Sequence, residues 1–191
     1  MDGVKLRDGI FALRTRRFGS VAECMVKRLL KCSAAKSVFH DLFDDAKRHR
    51  IEVKFSVVRK EAELKVTEET VLQCIEDAIK DDVVANGMVS FAQWNTFRFD
   101  CNIQQVKRAE FDVLYYGLFF SDCVKIFRIT SDEIKKKKDG GRISYSDRQH
   151  KGNIGEGQFH INDRTLDIHL QYYLDKTLTY DELSAVLTIC D

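Results

Sequence analysis

Apolar and polar positions recur with different periods along this chain, and those periods predict its elements. Between Ser20 and Cys32 the spacing is helical: Val21, Met25, Leu29 and Cys32 form one stripe, with Val26 and Leu30 beside them. Ser20, with Glu23 three residues on, predicts a capping box at the start of that helix. Residues 37–45 and 48–58 are rich in Val, Ile and Phe and read as two strands around Asp45-Ala46-Lys47-Arg48. Thr67 opens a second helix over 68–80, with Glu68 and Glu69 in a first turn that favours negative charge. Val71, Leu72, Ile75 and Ile79 are the expected buried face of that helix.

The second half holds more strand. Residues 88–106 read as strand with a break near Trp94-Asn95, and FDVLYYGLFF (111–120) turns at Ser121-Asp122 into another strand over 124–129. Thr130 and Glu133 predict a capping box for a short helix ending in Lys135 to Lys138. Residues 142–162 are polar and glycine-bearing and end in a strand, QFHIN. Helices are expected over 164–175 and 180–189, the second capped by Thr179 with Glu182. This order predicts an α/β protein of α+β type: one domain over residues 1–191, built on a mixed sheet flanked by helices.

Composition narrows the class. At 191 residues, 44% hydrophobic and 32% charged, the chain is long enough for a substantial core. No stretch approaches the ~18 uncharged apolar residues of a membrane span, and the first twenty residues lack the apolar core of a secretory signal. The expectation is an intracellular, cytoplasmic protein without a membrane partner. Six cysteines without CxxC or zinc spacing read as reduced, mostly buried thiols. A net charge of +1 leaves any polyanion site to a local patch. Proline is absent, so turns fall to Gly, Asn, Asp and Ser.

The informative stretch is SVFHDLFDDAKRHRIEVKFSVV, residues 37–58. With Ala46-Lys47 as a two-residue loop, Asp45 faces Arg48 and Asp41 lands opposite Glu52, their Cβ atoms about 5 Å apart. Lys54, two residues on, shares that side, while Ile51, Val53 and Phe55 point into the core. Phe39, Asp41 and Phe43 would alternate on one strand face, which sets the acid among aromatic rings. Two close carboxylates raise each other's pKa, and a divalent cation removes that penalty. Hard oxygen donors suit Mg²⁺, which activates water and neutralises a phosphodiester, with an ammonium beside it for developing charge. A simpler reading also stands, in which Glu52 and Lys54 decorate an edge strand opposite Asp41. A capping role also accounts for Glu23, and Asp44 and Asp45 are rival carboxylates, Asp41 being preferred because Asp44 needs a longer loop to face Glu52.

Asp41 followed by Glu52-Val53-Lys54 on the second strand of a hairpin resembles the PD-(D/E)XK nuclease superfamily. The phrase IEVKFS is similar to forms in restriction endonucleases and archaeal Holliday-junction resolvases, and GSVAECMVKRLLKC resembles their first helix, whose glutamate would be Glu23. The proline that precedes the family's aspartate is His40 here. The resemblance spans residues 18–58, more loosely to about 130. It implies a restriction-endonuclease-like fold, a mixed sheet of four to five strands with helices on both faces. It also implies Mg²⁺-dependent hydrolysis of DNA without a covalent intermediate. Asp41, Glu52 and the Val53 carbonyl would ligate the metal, Lys54 would orient water, and Glu23 would hold a second metal or a bridging water. A type II, site-specific endonuclease cutting double-stranded DNA as a homodimer is the leading expectation. Its catalytic core would be residues 18–130, with recognition and dimerisation elements in 131–191. A junction resolvase or repair nuclease on the same fold, or a non-catalytic DNA-binding module, is the alternative.

Residues 146–160 add three glycines to Arg148, Gln149, His150, Lys151, Asn153 and Gln158, side chains of the kind that read base edges. An ordinary polar loop accounts for them equally. Arg14, Arg16 and Arg17, the Lys47, Arg48 and Arg50 group, and Lys135 to Lys138 are basic clusters able to touch phosphate. No Walker-type phosphate loop is present, since no GK[ST] follows the glycines.

Overall fold

The protein is described by a computed structural model covering residues 1–62, 64–149 and 154–188. Two helices come first, α1 (Gly3–Phe11) and α2 (Thr15–Leu30), then short strands β1 (Ser33–Ala34) and β2 (Leu42–Asp44) and the long β3 (His49–Val57). After α3 (Val71–Asp81) and a single turn, α4 (Val84–Gly87), come β4 (Asp100–Val106), β5 (Val113–Phe119) and β6 (Val124–Thr130). The chain closes with β7 (Tyr145–Arg148), β8 (Ile154–Asn162), α5 (Leu166–Tyr172), β9 (Leu174–Leu178) and α6 (Tyr180–Thr188).

The main sheet has six strands in the order β1-β2-β3-β5-β6-β9. Only β3 and β5 run parallel; every other neighbouring pair is antiparallel. All seven residues of β5 are buried, as a central strand covered on both faces requires. On one face, Ile51, Val53, Val113, Tyr115 and Phe119 meet Phe18, Ala22, Met25 and Val26 of α2, together with α1 and α6. On the other, Leu114, Tyr116, Leu118, Phe127 and Ile129 meet a second, three-stranded sheet, β4-β8-β7, and α5. The expected mixed sheet flanked by helices is therefore present, and on one face it is covered by a sheet as well as a helix.

Several expected boundaries move. The helix expected from Ser20 is α2 and begins at Thr15, five residues earlier, because Phe18 docks edge-on against Phe119 with ring centroids 5.1 Å apart; α1 precedes it without having been expected. Ser20 is then inside the helix, bonded to the Arg16 carbonyl, and forms no capping box with Glu23. The strand expected over 37–45 shrinks to Leu42–Asp44; residues 36–39 are bends and Phe39 is exposed. Phe39 thus does not flank Asp41 on a strand face. The stretch expected as a helix to residue 175 is helical only to Tyr172, since Leu174–Leu178 pairs with β6 at the sheet edge. Thr130 and Glu133 do bond as a capping box, but a turn follows, and only Lys137–Asp139 is 3-10 helical. Thr179 and Glu182 cap α6 as expected.

The largest departure is α3. Its apolar stripe forms a helix face, but that face is not buried: Leu72 is 73% and Ile79 70% exposed, and Ile75 is more than half exposed. No residue of α3 is buried. Among the described cysteines Cys32, Cys101 and Cys123 are buried, Cys74 is half-buried, Cys24 is exposed, and none is paired. Cys190 lies outside the described residues.

Candidate active site

The β2–β3 hairpin has the expected register, Leu42 pairing with Ile51, Phe43 with Arg50 and Asp44 with His49, but the turn is four residues, 45–48, and Asp45 does not pair with Arg48 as expected. The turn is held by Asp44, whose Oδ1 accepts the N–H groups of Ala46 and Lys47, both at 3.1 Å. Arg48 takes the left-handed conformation, φ 60°, that returns the chain. Asp45 accepts the Ser33 hydroxyl at 2.9 Å. Both rival carboxylates are thus engaged at the turn.

Asp41 lies just outside the paired residues: its N–H donates to the carbonyl of Ile51, the residue already paired with Leu42, at 3.1 Å, so the expected pairing of Asp41 with Glu52 gives way to a one-residue offset. There β2 has no further residue to offer β3. The Asp41 carboxylate fills the gap: its Oδ2 accepts the Val53 N–H at 2.9 Å, where a longer strand would supply a carbonyl. A residue's N–H and C=O point to the same strand edge, so the Val53 carbonyl is aimed toward Asp41 too. Glu52 and Lys54 lie on the opposite side of β3 from Ile51 and Val53, and they form an ion pair with side chains only 12% and 26% exposed. They register with Leu114 and Tyr116 of β5.

The electrostatics are those of crowded acids. Burial pushes the Glu52 carboxyl up to about 7, the Asp41 and Glu110 charges push the same way, and Lys54 opposes them. Glu23, half-buried on α2, is also raised, first by burial and then by Asp41, with Lys54 again opposing. Although α2 packs on the far face of the sheet, Glu23 is within electrostatic reach of both Asp41 and Lys54. Glu23, Asp41, Glu52 and Lys54 therefore form one electrostatic neighbourhood on an open strand edge. A surface cavity of about 260 Å³, lined by Asp132, Glu133, Lys135, Gly140, Arg142 and Tyr173, lies elsewhere and contains none of them.

No protein-family model matches this chain, and no curated protein or solved structure is significantly similar to it.

Among the described residues, no group of three or more His, Cys, Asp or Glu side chains is arranged as a ready metal cage. The donors able to serve a cation are the Asp41 and Glu52 carboxylates and the Val53 carbonyl, all hard oxygens, and the cation now satisfying Glu52 is the Lys54 ammonium. Two acids and a carbonyl fit the few-ligand manner in which Mg²⁺ is held. The raised Glu52 pKa fits too, since a buried anion short of positive charge gains from a cation.

The other candidates scatter. Arg148 is exposed at the end of β7. Gln149 bonds to Gln104 and to the Gln105 N–H, and Gln158 faces outward from β8, accepting from Asn102 at 3.1 Å. His150, Lys151 and Asn153 lie outside the described residues. Arg14, Arg16 and Arg17 are exposed, and Arg50 is bound in a fork by Asp112. Sequence reasoning missed Glu110, whose charge reaches Glu52 from the turn before β5. It also missed Asn102 and Gln104, although the alternation in DCNIQQV marks them as one face of a strand. No helix among the described residues is long and apolar enough to cross a membrane.

Proposed function

We propose that this protein is a Mg²⁺-dependent endonuclease that hydrolyses DNA phosphodiester bonds, acting on double-stranded DNA at specific sites as a type II restriction endonuclease does. One observation carries the reading: where β2 stops, the Asp41 carboxylate takes the N–H of Val53, the residue between Glu52 and Lys54, and those two are paired with each other. An edge without a covering strand admits a bulky polymer, which a closed pocket would exclude. Asp41, Glu52 and the Val53 carbonyl would hold the metal, which when bound supplies an acidified water and neutralises phosphate charge. Lys54 would orient the attacking water and stabilise negative charge developing on the phosphate. Glu23 would add a third carboxyl, one whose charge couples to those of Asp41 and Lys54.

The test is incubation with plasmid DNA in Mg²⁺, with an EDTA control. Discrete fragments are expected from the parent and none from Lys54→Ala, which should still bind DNA. Full cleavage by Lys54→Ala, or no cleavage by the parent on plasmid, linear duplex or four-way junctions, overturns the reading. Cleavage confined to four-way junctions would make the same site that of a resolvase.

A further inference from the structure

The three-stranded sheet has one face in the core and one in water. Cys101 and Ile103 of β4, Phe159 and Ile161 of β8 and Tyr145 of β7 point inward. Asp100, Asn102 and Gln104 of β4 and Gln158 and His160 of β8 point outward, as the pairs Asn102–His160 and Ile103–Phe159 require. This outer face carries neither aromatic nor aliphatic residues at these positions. Its chemistry is carboxamide and imidazole, with the Asp100 carboxylate held against His160.

These groups are held, not loose. Asn102 Nδ2 donates to Gln158 Oε1 at 3.1 Å, and Gln149 Nε2 donates to Gln104 Oε1 at 2.9 Å. The Oε1 of Gln149 accepts the Gln105 N–H at 3.0 Å, where β4 bulges. His160 Nδ1 lies 2.8 Å from Asp100 Oδ2. The Asn102 Oδ1 acceptor is buried and has no hydrogen-bond partner. Exposed arginines flank the face: Arg98 and Arg164 at one end and Arg148 at the other.

We propose that this outer face reads base edges in the major groove of duplex DNA, with Gln104 and Gln158 as the specificity-determining residues and Asn102 bracing Gln158 from below. The inference rests on the nuclease reading and names its recognition surface. A β-ribbon fits the major groove, and a carboxamide both donates and accepts, which matches the edge of adenine. Pre-bonded amides lose little freedom on binding. A protein partner fits less well, because the centre of a protein interface is aromatic or apolar and this face is not. The position also fits: Lys107, in the turn after β4, bridges Glu110 and Glu156 of β8, at 3.8 and 3.6 Å. Lys107 thus ties the turn that leads into β5, the strand beside β3, to β8 of the reading face.

The test uses the full chain in EDTA, so that binding is read without cleavage. A randomised duplex pool is selected on the parent, and fluorescence anisotropy then compares the selected duplex with a scrambled one. Gln104→Ala and Gln158→Ala are each expected to weaken the selected duplex by about 5- to 150-fold and to leave the scrambled one unchanged. Gln104→Glu, at an exposed position, should do the same without altering the fold. Unchanged preference in all three variants overturns the inference, as does a parent that enriches no sequence. A parent that cuts plasmid while these variants keep its preference refutes the reading face alone. A parent that binds a selected sequence through this face and never cuts refutes the nuclease reading alone.

Discussion

His169 governs how the fold responds to acid. It is 1% exposed, its ring packs among Tyr116, Phe127, Phe159 and Tyr173, and its Nδ1 shares a hydrogen bond with the Tyr116 hydroxyl at 2.9 Å. Burial holds the imidazole neutral, with a pKa brought down to about 4 from an ordinary 6.5. The unfolded chain therefore binds this proton more readily than the folded one. Stability from the neutral ring is intact above about pH 6.5 and drains away as pH falls toward 4. The whole interval amounts to about 3 kcal/mol, of which about 2 kcal/mol is gone at pH 5. The perturbation is the double variant His169→Phe, Tyr116→Phe, which removes both hydrogen-bonding partners together and leaves neither orphaned. Urea unfolding at pH 7 and pH 5, followed by the fluorescence of the single tryptophan, Trp94, reads the difference. Between those two pH values the parent should lose about 2 kcal/mol more than the double variant. His169→Phe alone strands the Tyr116 hydroxyl and should cost about 1–3 kcal/mol at pH 7. Equal acid losses in parent and double variant would refute the reasoning.

Two further outcomes test the packing. Leu72→Gln and Ile79→Gln should each change unfolding free energy by no more than about 0.5 kcal/mol, because both side chains already face water; a buried face would lose about 2–5 kcal/mol at each position. Gly117→Ala should cost about 3 kcal/mol, since an added Cβ would stand 2.3 Å from both the Lys125 carbonyl and the Phe55 ring, and urea midpoints at constant m would show it.

The parts legible in the sequence were those specified locally. The hairpin is one: Leu42–Asp44 pairs with His49–Ile51 in the register that the alternating pattern predicts, although the turn takes four residues and Asp41 falls just beyond the pairing. Misread segments were decided by distant partners. Ser20 and Glu23 carry a valid local capping signature, but the docking of Phe18 on Phe119, about a hundred residues away, starts the helix earlier. Leu174–Leu178 passes for helix until β6 offers it an edge. The stripe on α3 forms a helix face as its spacing predicts but is exposed, because periodicity shows that apolar residues share a side and says nothing about what lies opposite. The polar face of the second sheet needed the pairing of β4 with β8, strands over fifty residues apart, before its amides came together.

Fold and candidate site are coupled through β3, which serves two demands at once. Ile51 and Val53 fill the core under the helices, while Glu52 and Lys54 on the other side carry the charge. A slip of one residue would exchange these sets, burying charge under α2 and stripping the edge of its acids. Two devices oppose that slip from either flank: the Asp44 turn toward β2, and the Arg50–Asp112 fork toward β5, in which Asp112 also accepts the Arg50 N–H at 2.8 Å. The interactions that place the acids are thus made by residues with no proposed part in chemistry. Loss of activity at Asp44 or Asp112 would report register, and loss at Lys54 with stability unchanged would report the site itself.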